Sequence, residues 1–217
     1  LRDQGYPRLI VGDKVFKDSR LAFVDPNFFQ VFTLPFLRGD ALTALSEPNT
    51  VVISETLAAR YFGNDDPIGK TVRGKDWDET FKITGVMADV PQTAHFHCDL
   101  LASMTGFSDA RSDSWMTSEY YTYLVLPEGY DYRQLQAKLP QTVEKYLGPQ
   151  MQKSMGLSFA DFRSKGNDLG LFLQPLTDIH LHSDFAYDLT PSGDIRYVYI
   201  FSAIAVFMLL IACINFM

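Results

Sequence analysis

The sequence predicts an α+β domain followed by a transmembrane helix, and three observations carry that reading. The last 21 residues, 197–217 (YVYIFSAIAVFMLLIACINFM), contain no Asp, Glu, Lys or Arg. Ahead of them, short apolar runs with strand-like alternation are interleaved with short amphipathic segments. Gly, Pro and Asp clusters punctuate those runs along the whole chain.

Residues 8–24 alternate in patches around a Gly12-Asp13 turn and predict a β-hairpin. Asp25-Pro26 predicts the start of a short helix, with Asp25 as N-cap and Phe28, Val31 and Phe32 on one face. Leu37 to Asp40 reads as a turn and 40–49 as a polar loop. Residues 50–53 (TVVI) predict a strand. Ser54 caps the helix that follows, which ends at Phe62 with Gly63 as its stop and Leu57, Ala58, Tyr61 and Phe62 as its apolar face.

Turn chemistry at Asn64 to Lys70 leads into strands at 71–73 and 81–86, and Pro91 closes that unit. Residues 104–118 are polar and predict no element. A strand is expected at 121–126 and a helix at 132–147, capped by Asp131 and split or kinked by Pro140. Residues 148–170 read as a loop with one short helix near Phe159. The segment 171–181 reads as a last strand bent at Pro175, and 183–196 as a polar linker.

The terminal run spans the hydrocarbon core of a bilayer, which needs roughly 20 apolar residues. Ser202 and Asn215 are its only strongly polar members, and Tyr197 and Tyr199 stand where an interfacial aromatic belt falls. A helix of a water-soluble core keeps a polar stripe, and this run has none. Leu1 is not an initiator Met and no signal-peptide pattern precedes the domain, so the expectation is a piece of a longer protein.

A net charge of −7 with no basic run argues against nucleic acid or an anionic membrane surface as partner. Two cysteines, Cys98 and Cys213, make no disulfide framework. The densest groups of potential ligands are His95-Phe96-His97-Cys98-Asp99 and His180-Leu181-His182-Ser183-Asp184. In a strand, each His pair would share a face, but neither group supplies three or four ligands at metal-site spacing. A Gly-x-Ser-x-Gly elbow and a phosphate loop are absent. Asp65-Asp66 before Pro67 fits a turn better than a carboxylate pair. The residues therefore predict no catalytic centre, no cofactor and no metal site.

Several stretches, taken in order, resemble one family. They are Asp25 to Phe32 (DPNFFQVF) with Leu37-Arg38-Gly39-Asp40; Val51 to Glu55 through Ala59-Arg60-Tyr61-Phe62-Gly63; Asp66 to Lys70; Phe81 to Pro91; Leu173 to His182; and Gly193 to Tyr199. Together they are similar to the MacB-like periplasmic core domain of FtsX-type ABC transporter permeases. The resemblance implies a two-lobed extracytoplasmic domain. A porter-like lobe would comprise 1–32 and 118–182, lacking its first strand and helix, and a sabre-like lobe, 33–117, would be inserted in it. Residues 197–217 would begin the second transmembrane span. The resemblance further implies a bacterial inner-membrane protein with its domain in the periplasm. It would work as a homodimer or heterodimer of permease subunits with a cytoplasmic ABC ATPase, in some members with a periplasmic adaptor. Its work would be mechanotransmission, in which ATP-driven movement is passed through the membrane to act on or export a substrate. From the residues alone, a ligand- or metal-sensing domain of a membrane receptor stays open beside this.

Overall fold

In this computed structural model, residues 1–75, 79–167, 169–183, 188–191 and 193–216 are described. They fall into two units, Leu1–Phe172 and Leu173–Met217. The first unit is built on a nine-stranded sheet: β1 (Arg2–Gly5), β2 (Leu9–Val11), β3 (Lys14–Phe16), β4 (Leu21–Val24), β5 (Phe36–Arg38), β6 (Thr50–Ser54), β7 (Thr71–Gly74), β8 (Thr80–Met87) and β9 (Leu100–Ser103). The strand order is β1-β4-β9-β6-β8-β7-β2-β3, with β5 pairing β8 as well. β4 with β9 and β6 with β8 are parallel, and the other pairs are antiparallel.

The β6–helix unit forms as its residues dictate. The Ser54 hydroxyl accepts the Leu57 N–H at 3.3 Å and starts α2 (Glu55–Phe62). Gly63, at φ +62°, ends it by donating its N–H to the Ala59 carbonyl. Leu57 and Tyr61, four residues apart, bury one helical face against Val51, Ile53, Phe81 and Ile83. Each such side chain contributes about 1.5–3 kcal/mol on burial. Ala22, Val24, Val52 and Leu101, at the alternate strand positions, are also buried, so the central strands are covered on both faces. The buried Tyr61 hydroxyl meets the Ser19 hydroxyl at 2.7 Å.

The hairpin β2–β3 and the strands β6, β7 and β8 lie where the sequence places them. Other elements differ. β4 leaves the hairpin and pairs β1 and β9. The short helix after β4, α1 (Phe28–Val31), starts after Asn27 without a side-chain cap, so Asp25 is not its N-cap; the Asp25 carbonyl accepts the Phe28 N–H. The expected turn at Leu37 is strand β5. It runs into Gly39 at φ +84°, where the backbone comes so close to Thr84 that a Cβ would lie 2.4 Å from the Thr84 oxygen.

Pro140 does divide the long helix. α3 (Tyr132–Gln136), capped by the Asp131 carboxylate, is followed by α4 (Leu139–Met155) with Pro140 in its first turn. α4 continues through Gly148-Pro149, inside the stretch where a loop is expected. Val143, Leu147 and Met151 hold one buried face against Phe159 of α5 (Phe159–Ser164), and that packing outweighs one missing hydrogen bond.

Residues 121–126 form no strand; the Leu1 and Tyr121 backbone nitrogens each donate to the other's carbonyl at 2.8 Å, and Tyr123 packs on Phe32 and His95. In the second unit the expected strand at 171–181 is replaced by a 3₁₀ turn (Leu176–Asp178) and α6 (Ile179–His182), because Pro175 offers no ladder donor and starts a turn instead. Parts of the expected linker, 184–187 and 192, lie outside the described residues.

α7 (Ile195–Asn215) is 21 residues long, and it is long and apolar enough to cross a membrane. Asp194 caps it by accepting the Arg196 N–H at 2.8 Å. It starts two residues ahead of the expected span, since the cap precedes the apolar run.

β1–β4 come from the stretch that the resemblance gives to the porter-like lobe, and β6, β8 and β9 from the sabre-like stretch. They share one sheet, so the expected boundary between residues 32 and 33 is not marked by a break in it.

Candidate functional site

β4 and β9 run parallel side by side, from Leu21 opposite Leu100 to Val24 opposite Ser103. At their carboxyl ends the chain diverges, to α1 after β4 and to two 3₁₀ turns (Met104–Gly106, Ser108–Arg111) after β9. Diverging connections at such a place leave a crevice. Here it is an open cleft of about 710 Å³, closed on its third side by residues 117–123.

Its walls combine aromatic rings and carboxylates. Phe28, Phe32 and Tyr123 stand on one side, and Asp25, Asp109 and Glu119 are placed around it. Arg2 supplies the one basic side chain among the lining residues; it is ion-paired with Glu119, and its guanidinium lies 4.7 Å from the Phe107 ring centroid. The Tyr120 hydroxyl is buried at the cleft with no hydrogen-bond partner among the described residues.

The first histidine group borders this cleft without forming a metal site. His95 Nε2 is 2.8 Å from the Tyr123 hydroxyl, among the rings of Phe32 and Phe96. Burial holds the His95 imidazole below its ordinary pKa and pushes the Tyr123 phenol up. Cys98 is buried, and burial raises its thiol to about 12, so it is protonated and unreactive. The Asp99 carboxylate accepts the Arg20 N–H at 2.8 Å and is a structural acceptor. These residues lie in irregular chain, where positions two apart do not share a face.

His180 and His182 sit in helix α6, so their side chains diverge by about 200° around its axis. Asp184 lies outside the described residues. No group of three or more potential metal ligands is found among the described residues. Asp65 and Asp66 are exposed ion-pair partners of Lys70 and Arg38, at 2.9 and 3.0 Å, and Asp66 also accepts the Ile68 N–H as turn residues do.

Residues 5–142 match the model of the MacB-like periplasmic core domain. The chain belongs to that family. As a MacB-like periplasmic core domain it is a periplasm-facing domain of the kind carried by ABC-type transporter permeases. Its fold is similar to a solved domain, described as that of a permease protein, from Porphyromonas gingivalis. That structure is 25% identical, with a TM-score of 0.58 over 67% of this chain and 62% of that one. The chain thus spans less than two thirds of that structure's length.

Two further solved structures are more distant. The periplasmic region of MacB from Actinobacillus actinomycetemcomitans is 18% identical, with a TM-score of 0.45 over 78% of this chain and 76% of that one. The extracellular domain of the noncanonic ABC-type transporter YknZ from Gram-positive bacteria is 16% identical, with a TM-score of 0.37 over 47% and 51%. No curated protein matches the chain.

The sequence reading named no site residues and so missed this cleft. Asp25 and Phe32 were read as cap and helix face, and 104–118 as unassigned. The one signal available was Asp25-Pro26-Asn27, polar turn residues directly behind the fully buried strand Leu21–Val24.

Proposed function

We propose that this chain is part of an ABC permease subunit in a bacterial inner membrane, and that it couples ATP hydrolysis by a separate cytoplasmic ATPase to work on a substrate in the periplasm. The observation that carries the reading is the family match over residues 5–142, with α7 as an apolar helix of membrane-spanning length in the same chain. Coupling of this kind needs an ATP-hydrolysing engine on the cytoplasmic side. It also needs two arrangements of the periplasmic domain that the engine can bias.

In this reading two permease subunits, alike or different, assemble with two ATPase subunits, and an adaptor joins them in some systems. The porter-like (1–32 with 118–182) and sabre-like (33–117) portions then move as the parts that meet substrate or partner.

The test is co-expression of the full-length permease with its ATPase. Co-purification at equal stoichiometry, with ATPase activity that depends on the permease, is the expected result. A permease that purifies alone and monomeric, with no change in ATPase turnover, refutes the proposal.

A further inference from the structure

We propose that strand β3 is an interface with a second copy of this chain. The two β3 strands pair edge to edge, antiparallel, about a two-fold axis at Val15. The functional reading above leaves open whether paired subunits are alike; this interface joins like subunits, and it stands whether or not an ATPase assembles with them.

The first ground is an open sheet edge. β3 ends the strand order and pairs β2 alone. It stands at the opposite end of that order from β1, roughly 30 Å away at the usual spacing between strands. Gly12-Asp13 is a two-residue turn, with Val11 opposite Lys14, Ile10 opposite Val15 and Leu9 opposite Phe16. Such a turn closes on a hydrogen-bonded pair, and along an antiparallel ladder bonded and unbonded pairs alternate. Lys14 and Phe16 therefore direct their main-chain groups to β2, whereas Val15 turns its N–H and C=O to the edge. Among the described residues, no backbone hydrogen bond from another segment reaches Asp13, Val15 or Lys17 on that side. Such an edge is a template for one more strand.

The second ground is register. With Val15 opposite its counterpart, Asp13 of each copy faces Lys17 of the other, and opposite charges in cross-strand pairs attract. Val15, 44% exposed, then joins Ile10 and their two counterparts in one apolar row. Edge lysines ordinarily deter pairing, but in this register none faces another lysine. Lys14 meets Phe16, a half-buried ring whose centroid is 3.9 Å from that of Tyr61, and a lysine stem covers such a ring. A shift of two residues towards the turn would set Lys14 against its counterpart. A shift the other way would place Asp13 opposite Ser19, which is buried and lies beyond the strand.

The third ground decides the occupant. Residues 13–18 (DKVFKD) hold two acids and two bases, so the edge is locally neutral within an acidic chain. A uniformly acidic or uniformly basic foreign strand would meet a like charge at Asp13 or at Lys17. A second copy meets neither, and self-complementarity of this kind is what a two-fold interface requires. The contact is short, and two copies held in one membrane gain from the raised effective concentration.

The test is disulfide cross-linking of the full chain in detergent, carrying Cys213→Ser and Val15→Cys, with copper phenanthroline as oxidant. Facing residues of a hydrogen-bonded pair have Cα atoms about 5.5 Å apart, within the reach of a disulfide. Val15→Cys should form linked dimers about tenfold faster than Gln141→Cys, an exposed position on α4. Adding Asp13→Lys, or adding Lys17→Asp, should slow the linking about tenfold, and the two together should restore it to within about twofold. Melting temperatures confirm that the variants fold. Asp13→Lys lessens the net negative charge and Lys17→Asp deepens it, so a whole-chain charge effect would move the two rates in opposite directions. The proposal is overturned by that outcome. It is overturned equally if Val15→Cys links no faster than Gln141→Cys, or if the double charge exchange does not recover. The ATPase takes no part in this measurement, so its failure leaves the permease reading untouched.

Discussion

Replacing Gly39 by Ala tests the close approach of β5 to β8, on which the edge of the sheet depends. Two costs add. The left-handed backbone at φ +84° penalises a Cβ by about 1–2 kcal/mol. The new Cβ would also stand 2.4 Å from the Thr84 carbonyl oxygen and 3.0 Å from Gly85 Cα. Ordinary carbon–oxygen contacts begin near 3.3 Å, so the strands must separate by about 1 Å or the Cβ be forced into β8. Overpacking of that kind costs about 1–3 kcal/mol more. Gly156→Ala is the control, because Gly156, which ends α4, is left-handed at φ +68° with open space around the Cβ position. It carries the first cost alone. For a chain of this size each kcal/mol lowers the melting temperature by about 2–4 °C, so Gly156→Ala should lose about 4 °C and Gly39→Ala about 10 °C. Thermal melts followed by circular dichroism in detergent read the difference. If the two variants melt within about 2 °C of each other, Gly39 is not against the Thr84 carbonyl and the β5–β8 pairing is wrong.

Ser54→Ala removes the cap of α2 and should cost about 1 kcal/mol, while Ser54→Asp keeps it; equal melting of all three forms would show that no cap is made. Burial holds both the Cys98 thiol and the Tyr61 phenol up at about 12, so the unfolded chain gives up these protons first as pH rises. Stability from them is complete below about pH 8.5 and falls as the pH climbs towards 12. Cys98→Ser should move the onset of that fall to higher pH, and a melting temperature flat across this range would refute it. With the domain in the periplasm, an engineered cysteine at the exposed Lys75 should react with an impermeant maleimide in intact spheroplasts; protection there would reverse the orientation.

What was legible in the sequence was whatever is fixed locally. The Ser54 hydroxyl, the Leu57–Tyr61 spacing and Gly63 define α2 without reference to anything distant, and Pro140 marks the division of α3 from α4 in the same way. The uncharged run defines α7. What was not legible depends on distant partners. Leu100-Leu101-Ala102-Ser103 is buried on both faces between β4 and β6 and shows neither a period of two nor of 3.6, so the central strand β9 was missed. Residues 121–126 have strand propensity but join no strand ladder among the described residues, so propensity alone overcalled a strand. Gly148-Pro149 reads as a breaker, yet the Met151 contact with Phe159 carries the helix through. The cleft was invisible for the same reason, since it arises where β4 and β9, 76 residues apart from Val24 to Leu100, end side by side.

The central claim is that ATP-driven movement reaches the periplasmic domain, and the most direct measurement is a distance between subunits. A spin label on Lys75→Cys, in full-length permease carrying Cys213→Ser and assembled with its ATPase, reports that distance by pulsed electron resonance. The account predicts two distance populations whose ratio shifts when ATP is trapped in the ATPase and returns on hydrolysis. One unchanging distribution in the nucleotide-free, ATP-trapped and turnover states, while ATP is being hydrolysed, would contradict it.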